Sequence, residues 1–342
     1  MSNLSVRITS SIHEIDAGLW NQLSAGKPFQ SHQWYVFGEQ VMSDCLPVYL
    51  LAYDGNTLIA RASLWLMRNE PVPKMLGRMR RAAATVFERW PLLICRSPLS
   101  YTTGLTFADD SRRTDILSEF ARATLTVAKQ QGASFIIFDY LSKANVQDWP
   151  GRFSTIAGLD PGTNMENHWT SMDAYMASGH KKDRQHYKRV LRQAEKLRIK
   201  IDRHVVAENI DEALILIRNV EQDHGALPNP WARQMLEHMQ TVNGSFLTAT
   251  IDKQLVGCGL IFEDNDSQMT SMLGLAKDIP YVYFMLLYES LEMAFEHKVR
   301  LLRWGSGAYD VKQRLGFSFE DNGSLIFTAV NPYLQKVLQR FN

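Results

Sequence analysis

"VYLLAYDGNTLIARASLWLM", residues 48–67, and "SFLTATIDKQLVGCGLIFED", residues 245–264, decide how this chain is built. Each is a β-rich run broken by a two-residue turn, Asp54-Gly55 in the first and Asp252-Lys253 in the second, so each reads as a tight strand pair. Leu58 and Leu255 hold equivalent places 197 residues apart, and Trp34, before "VFGEQVM", stands 197 residues ahead of Trp231, before "RQMLEHM". Two landmarks at one offset indicate a duplicated unit.

A second pair of landmarks follows each strand pair. "TDILSEFARATLTVAKQQG" has Ile116, Phe120, Ala123 and Val127 at helical spacing, and "SFIIFDYL" follows as a strand. In the second half "YFMLLYESLEMAFEHK" puts Phe284, Leu287, Leu291, Ala294 and Phe295 on one helix face before "VRLLRW". Leu125 matches Leu291 and Phe135 matches Leu301, an offset of 166, so the first half carries extra residues; the proline-broken, basic stretch Arg68–Pro98 supplies them. The spacing predicts two copies of one α/β unit: residues 1–165, a joining segment 166–198, and residues 199–342.

Bulk properties agree. At 342 residues the chain is long for a single core, and 45% hydrophobic with 21% charged residues fits a folded protein. A net charge of +1 gives no global case for nucleic acid. Cys45, Cys95 and Cys258 are far apart, with no CxxC or Cys/His cluster, which argues against a disulfide framework or a metal site. No secretory leader or membrane-length apolar run is present, so a cytoplasmic location is expected. No GxSxG elbow, phosphate-binding P-loop, HExxH or dinucleotide fingerprint occurs.

Charge is concentrated locally. "GHKKDRQHYKRVLRQAEKLRIK", residues 179–200, holds nine Lys/Arg against two acids. Tyr187, Val190, Leu191, Ala194 and Leu197 form an apolar stripe, with Lys181, Arg184, Lys188 and Arg192 on another face. The cations point either to an anionic ligand, such as a phosphate-bearing donor or RNA, or to a solvated connecting helix.

The chemistry is expected at "WGSGAYDVKQRLGF", residues 304–317. Ligands sit at strand ends of open parallel sheets. Gly305, Ser306 and Gly307 would let a ligand approach the backbone, and Lys312 would supply positive charge beside the next helix. The matching piece of the first half, "DYLSKANVQDWPGRF", has neither the glycines nor that lysine. The second copy is therefore read as the donor half, and the first as scaffold and acceptor cleft.

The run "LLYESLEMAFEHKVRLLRWGSGAYDVKQRLGF" resembles the closing pattern of the FemAB-like branch of the GNAT acyltransferase superfamily, and "SGHKKDRQHYKRVLRQAEKLRIKI" resembles that branch's helix before its second lobe. The resemblance implies two tandem GNAT-like lobes, each a mixed, mostly antiparallel sheet flanked by helices, and transfer of an acyl or aminoacyl group to an amine. It implies that a backbone N–H of the splayed strand "MTSMLGLA", near Gly274, holds the oxyanion. Asp223, His224 and Asp310 are candidates for the base, Tyr309 for the proton donor, and Lys312 for the charge at the leaving group. Arg184, Lys188 and Arg192 would guide the donor, while His32, Trp34, Tyr101 and Trp231 would hold the acceptor. The Q/R-x-x-G-x-G/A loop of ordinary GNAT enzymes is absent after "MTSMLGLAKDIPY". Acyl-CoA or acetyl-CoA is the expected donor, without a metal, because no long charged heptad segment marks the coiled-coil arm of the cell-wall branching enzymes; aminoacyl-tRNA is the alternative. The amine would belong to a small metabolite or a cell-envelope precursor. A non-catalytic binder of RNA or a sugar nucleotide is the reading from another class.

Overall fold

The computed structural model describes residues 4–68, 89–157 and 159–338. The chain divides into two compact units, Met1–Pro161 with Glu320–Asn342, and Gly162–Phe319. Residues 166–198 thus fall inside the second unit, and the C-terminal segment returns to the first.

In the first unit, β1 (Leu4–Thr9), β2 (Leu46–Asp54), β3 (Thr57–Met67), β4 (Leu92–Cys95), β6 (Phe135–Leu141), β15 (Ser324–Ala329) and β7 (Ser154–Ala157) lie side by side in that order, and β5 (Leu105–Phe107) also pairs with β3. The second unit orders β14 (Ser318–Phe319), β8 (Thr163–Glu166), β13 (Leu301–Trp304), β12 (Ser267–Leu275), β11 (Gln254–Asp264), β10 (Ser245–Ile251) and β9 (Lys200–His204). Each sheet has one parallel pair, β4–β6 in the first and β12–β13 in the second. Both are mixed, mostly antiparallel sheets, as the sequence leads one to expect.

The hairpins repeat in detail. β3 and β11 start and end at positions 197 apart. The β2–β3 register slips after Ala52 and leaves Ile59 unmatched; the β10–β11 register slips after Ala249 and leaves Val256 unmatched, again 197 residues on. A bulge inserts one residue and re-aims the strand, so its retention in both copies fixes the same bend. Gly55 turns the first hairpin at φ 58°, while Asp252 and Lys253 turn the second at φ 47° and 70°. In the second hairpin, positive φ at both turn residues matches the right-handed twist of the flanking strands.

The helices cover these sheets. The first unit carries α1 (Ala17–Ser24), α2 (His32–Val41), α3 (Arg113–Gln130) and α10 (Pro332–Leu338). The second carries α4 (Met172–Ser178), α5 (Lys181–Lys196), α6 (Ile210–Asp223), α7 (Ala232–His238), α8 (Val282–Glu296) and α9 (Tyr309–Arg314). On α3, Ile116, Phe120 and Val127 join Leu64, Ile136 and Phe138 in one core. On α8, Leu287, Leu291 and Ala294 pack with Leu302 and Trp304, while Val282, Leu286 and Met293 pack with Leu247 and Ile261. Helix α8 is buried on more than the single face expected of it because two clusters share it.

Strand exchange is the feature the repeat did not reveal. The first half's last strand, β8, sits between β13 and β14 of the second sheet, and the second half's last strand, β15, sits between β6 and β7 of the first. Each sheet is completed by the other half's closing strand. Of the expected insert Arg68–Pro98, residues 69–88 lie outside the described residues, and β4 is a core strand, not an insertion.

A buried cation fills the first unit. Arg61 on β3 is 0% exposed, stacks 3.5 Å above the Trp20 ring and donates to Ser24 Oγ and to the Gln30 carbonyl and side-chain oxygen at 2.8–2.9 Å. The planar guanidinium is more weakly hydrated than an ammonium, so stacking and a fork of acceptors offset its desolvation.

Candidate active site

The second sheet opens where its parallel pair stops. β12 pairs with β13 only over Ser267–Thr270, yet it continues beside β11 as far as Leu275. The edge of β12 beyond Thr270 therefore has no β13 partner. A register shift opposite Leu260 and Ile261 leaves Ser271 as an extra residue at the start of that opening. Unmatched backbone N–H and C=O groups beside a bulge form a slot that an extended ligand can join as a strand would.

Gly274 lies on this strand, but packing alone requires a glycine there. A Cβ would come within 2.6 Å of Cys258 Sγ and 2.8 Å of both Ile217 N and Leu216 Cβ, so α6 rests directly on the strand. Just beyond, α8 begins without a side-chain cap, its N-cap Tyr281 at φ 73° and its first residue, Val282, buried. Burial pushes the Tyr283 hydroxyl up to about 12. Apolar and aromatic groups crowd the helix start.

The Gly-Ser-Gly turn closes the strand β13. Trp304 stacks on Phe317 at 4.1 Å, and Gly307 and Ala308 take φ 86° and 47° to swing into α9. Lys312 is 7% exposed, and its Nζ donates to the carbonyls of Gly305 and Trp304. Thr163 Oγ1, from the exchanged strand β8, donates to the same Trp304 carbonyl. The lysine holds the turn from within. Tyr309 lies edge-on to Phe319 at 5.0 Å, and Asp310 is exposed in the first turn of α9. Asp223 and His224 end α6, both exposed, where Asn219 donates to the Leu275 carbonyl at the end of β12.

A cavity of about 560 Å³ opens between the α4–α5 junction, α8 and the end of α9. Trp169, Tyr175, Phe284 and Tyr288 give it aromatic walls, and Lys182, Arg189 and Arg314 border it. His186 shares a hydrogen bond of 3.1 Å between Nδ1 and Tyr288 Oη and meets Phe284 edge-on at 4.6 Å. Burial, then the charges of Arg189 and Arg314, hold its imidazole below the usual range, so it is neutral at pH 7. Burial pushes the Tyr288 hydroxyl up to about 12, which keeps it a donor. Of the helix cations expected at an anion, Arg184 turns back to the Gly179 carbonyl, and Lys188 and Arg192 are exposed away from the cavity. The apolar stripe is narrower than expected: Val190 and Ala194 are buried, but Leu191 and Leu197 are exposed.

Residues 181–313, from the start of α5 to α9, match the family model described as an acetyltransferase (GNAT) domain. That stretch is similar to a GNAT acyltransferase domain. The fold of the chain is similar to that of FemX, with a TM-score of 0.63 at 9% identity over 97% of this chain and 100% of that one. It is also similar to a tandem GNAT protein from the clavulanic acid biosynthesis pathway, with a TM-score of 0.59 at 12% identity over 96% and 99%. The C-terminal domain of a putative lysylphosphatidylglycerol synthetase from Agrobacterium fabrum gives 0.53 at 10% identity over 96% of each chain. At these identities the likeness is one of fold alone, shared with FemX and the tandem GNAT protein. A comparison with curated proteins finds no match.

The first unit buries the tryptophan expected at an acceptor. Trp34 is fully buried in α2 and donates from Nε1 to the Pro98 carbonyl at 2.8 Å; Trp231, the N-cap of α7, is also buried. Both stand at helix starts, in matching places, as core residues. His32 Nε2 lies 3.0 Å from the Ile12 carbonyl, and Tyr101, at φ 49°, meets Tyr140 edge-on at 5.9 Å. Where the second lobe has Gly-Ser-Gly, the first has Asp139-Tyr140-Leu141, with Asp139 paired to Arg96 at 2.8 Å and Tyr140 at φ 54°. Sequence reasoning passed over His186, Arg189 and Arg314; a helical wheel set on Lys182, His186 and Arg189 would have found the first two. Among the described residues, no group of three or more His, Cys, Asp or Glu side chains is arranged to hold a metal, and no helix is long and apolar enough to cross a membrane.

Proposed function

We propose that this protein transfers an acyl group from acyl-CoA to a primary amine of a small metabolite or a cell-envelope precursor. The observation that carries the reading is the unmatched edge of β12 beyond Thr270, beside the Ser271 bulge. A thioester arm lying along that edge exposes its carbonyl to backbone N–H groups, which stabilise the oxyanion as the amine nitrogen attacks. The C–N bond forms, the C–S bond breaks, the amine loses a proton and the thiolate gains one. Asp223 and His224 at the end of α6 are the base candidates, Asp310 a further one, and Tyr309 the candidate proton donor to the thiolate. Lys312 keeps the Gly305 turn in place beside the slot. The first lobe serves the acceptor, with Tyr101 and His32 the remaining candidates to touch it.

Aminoacyl-tRNA is the second reading of the donor. It is favoured by the exposed cations Lys181, Lys188 and Arg192 on α5 and by the fold shared with a putative lysylphosphatidylglycerol synthetase. Thiol release from acetyl-CoA and longer acyl-CoAs, followed over a panel of amines, separates the two. Amine-dependent release supports acyl-CoA. Amine modification from charged tRNA with no thiol release from any acyl-CoA overturns it.

A further inference from the structure

We propose that the cavity between α5, α8 and α9 is a nucleoside-phosphate site, which holds the anionic end of the donor away from the start of α8. Its chemistry is complementary to such a ligand. Lys182, Arg189 and Arg314, all exposed, line it, and among the described residues none of the three makes a side-chain hydrogen bond or an ion pair. Arg203 pairs with Glu289 and Glu296, Arg218 with Glu221 and Arg300 with Asp266, whereas Lys188 and Arg192, likewise without such a partner, stand off the cavity. Three unmatched cations around one concave space are what phosphate oxygens neutralise. Asp183 is the one carboxylate on the lining.

The aromatic walls select the rest of the ligand. Phe284 and Trp169 put aromatic surface on the lining, against which a base can pack, a contact that tolerates any base. Neutral His186, fixed by Tyr288, adds one ring nitrogen with hydrogen-bonding capacity beside those rings. The volume, about 560 Å³, is within the usual span for a small-ligand pocket. The alternative place for phosphate, the start of α8, is filled by Tyr281, buried Val282 and Tyr283 and lacks glycines. One surface is built for phosphate and the other is not.

The inference rests on the acyl-transfer reading only for what the nucleotide carries. Titration calorimetry with coenzyme A, with adenosine 3′,5′-bisphosphate and with the trinucleotide CCA distinguishes a coenzyme from a tRNA end. At least one is expected to bind. Arg189→Gln and Arg314→Gln should each raise its Kd about tenfold, the scale of one charge-assisted contact, and lower its salt dependence. Phe284→Ala should weaken the nucleotide but leave inorganic pyrophosphate unchanged, and Lys196→Gln, on the same helix but off the cavity, should change neither. The proposal is overturned if no probe binds the wild type, or if binding is indifferent to both arginine variants while their melting temperatures stay native. Amine acylation assayed in parallel keeps the two readings apart. Transfer without cavity dependence sinks only the site, and cavity-dependent binding without transfer sinks only the reaction.

Discussion

Lys312 shows how burial changes the meaning of a residue. Its position beside Gly-Ser-Gly is legible in the sequence, but its ammonium is spent on the carbonyls of Gly305 and Trp304. Lys312→Ala is therefore expected to lower unfolding stability by about 2 kcal/mol, the worth of charged hydrogen bonds left unmade in a buried place. Urea melts read this directly; native stability with lost turnover would return the lysine to the ligand. His186 makes a pH prediction. Burial and the neighbouring Arg189 and Arg314 hold its folded pKa below the ordinary imidazole value of about 6.5, so below that pH the unfolded chain takes up a proton that the folded chain resists. The contribution is fully present above about 6.5 and is lost as pH falls from there through the folded pKa. His186→Gln should flatten the decline in melting temperature between pH 7.5 and pH 5, and an unchanged slope would show that other groups govern it.

At the scale of elements, helix and strand existence were readable because each carries its own period. The turn residues of both hairpins and the stripes of α3 and α8 lie within one short window each. Which helix face meets a ligand was not readable. On α5, charge is nearly continuous, and composition does not separate Lys188 and Arg192, which are solvated, from Lys182 and Arg189, which border the cavity. Gly274 misleads in the same way, since a glycine admits a ligand or a helix equally well. Here it admits α6, so Gly274→Ala should cost about 2 kcal/mol or more by forcing α6 off β12, against Ile217 N and Cys258. Gly55→Ala, with open space around it but φ at 58°, should cost about 1 kcal/mol through backbone strain alone. Chemical denaturation of the two variants checks the ranking.

For the whole molecule, the exchanged strands tie the two halves of the sequence into each other's sheets. A chain ended after Phe319 lacks β15 and leaves β6 and β7 without the strand that joins them. The first unit should then lose its cooperative melting transition and its amide protection along β6, while the second unit keeps its own; equal protection in both forms would refute this. The sequence by itself determined the duplication, the two mixed sheets and the GNAT resemblance, because local periodicity and constant offsets survive in one dimension. Only the tertiary structure decided that β8 and β15 trade places, that Lys312 faces inward and that His186, Arg189 and Arg314 share a cavity with α8. Strand partners and side-chain surroundings depend on contacts between residues far apart in the chain: β15 joins β6 across more than half its length. No local pattern encodes those pairings, because the same strand forms equally good ladders in either sheet until packing selects one.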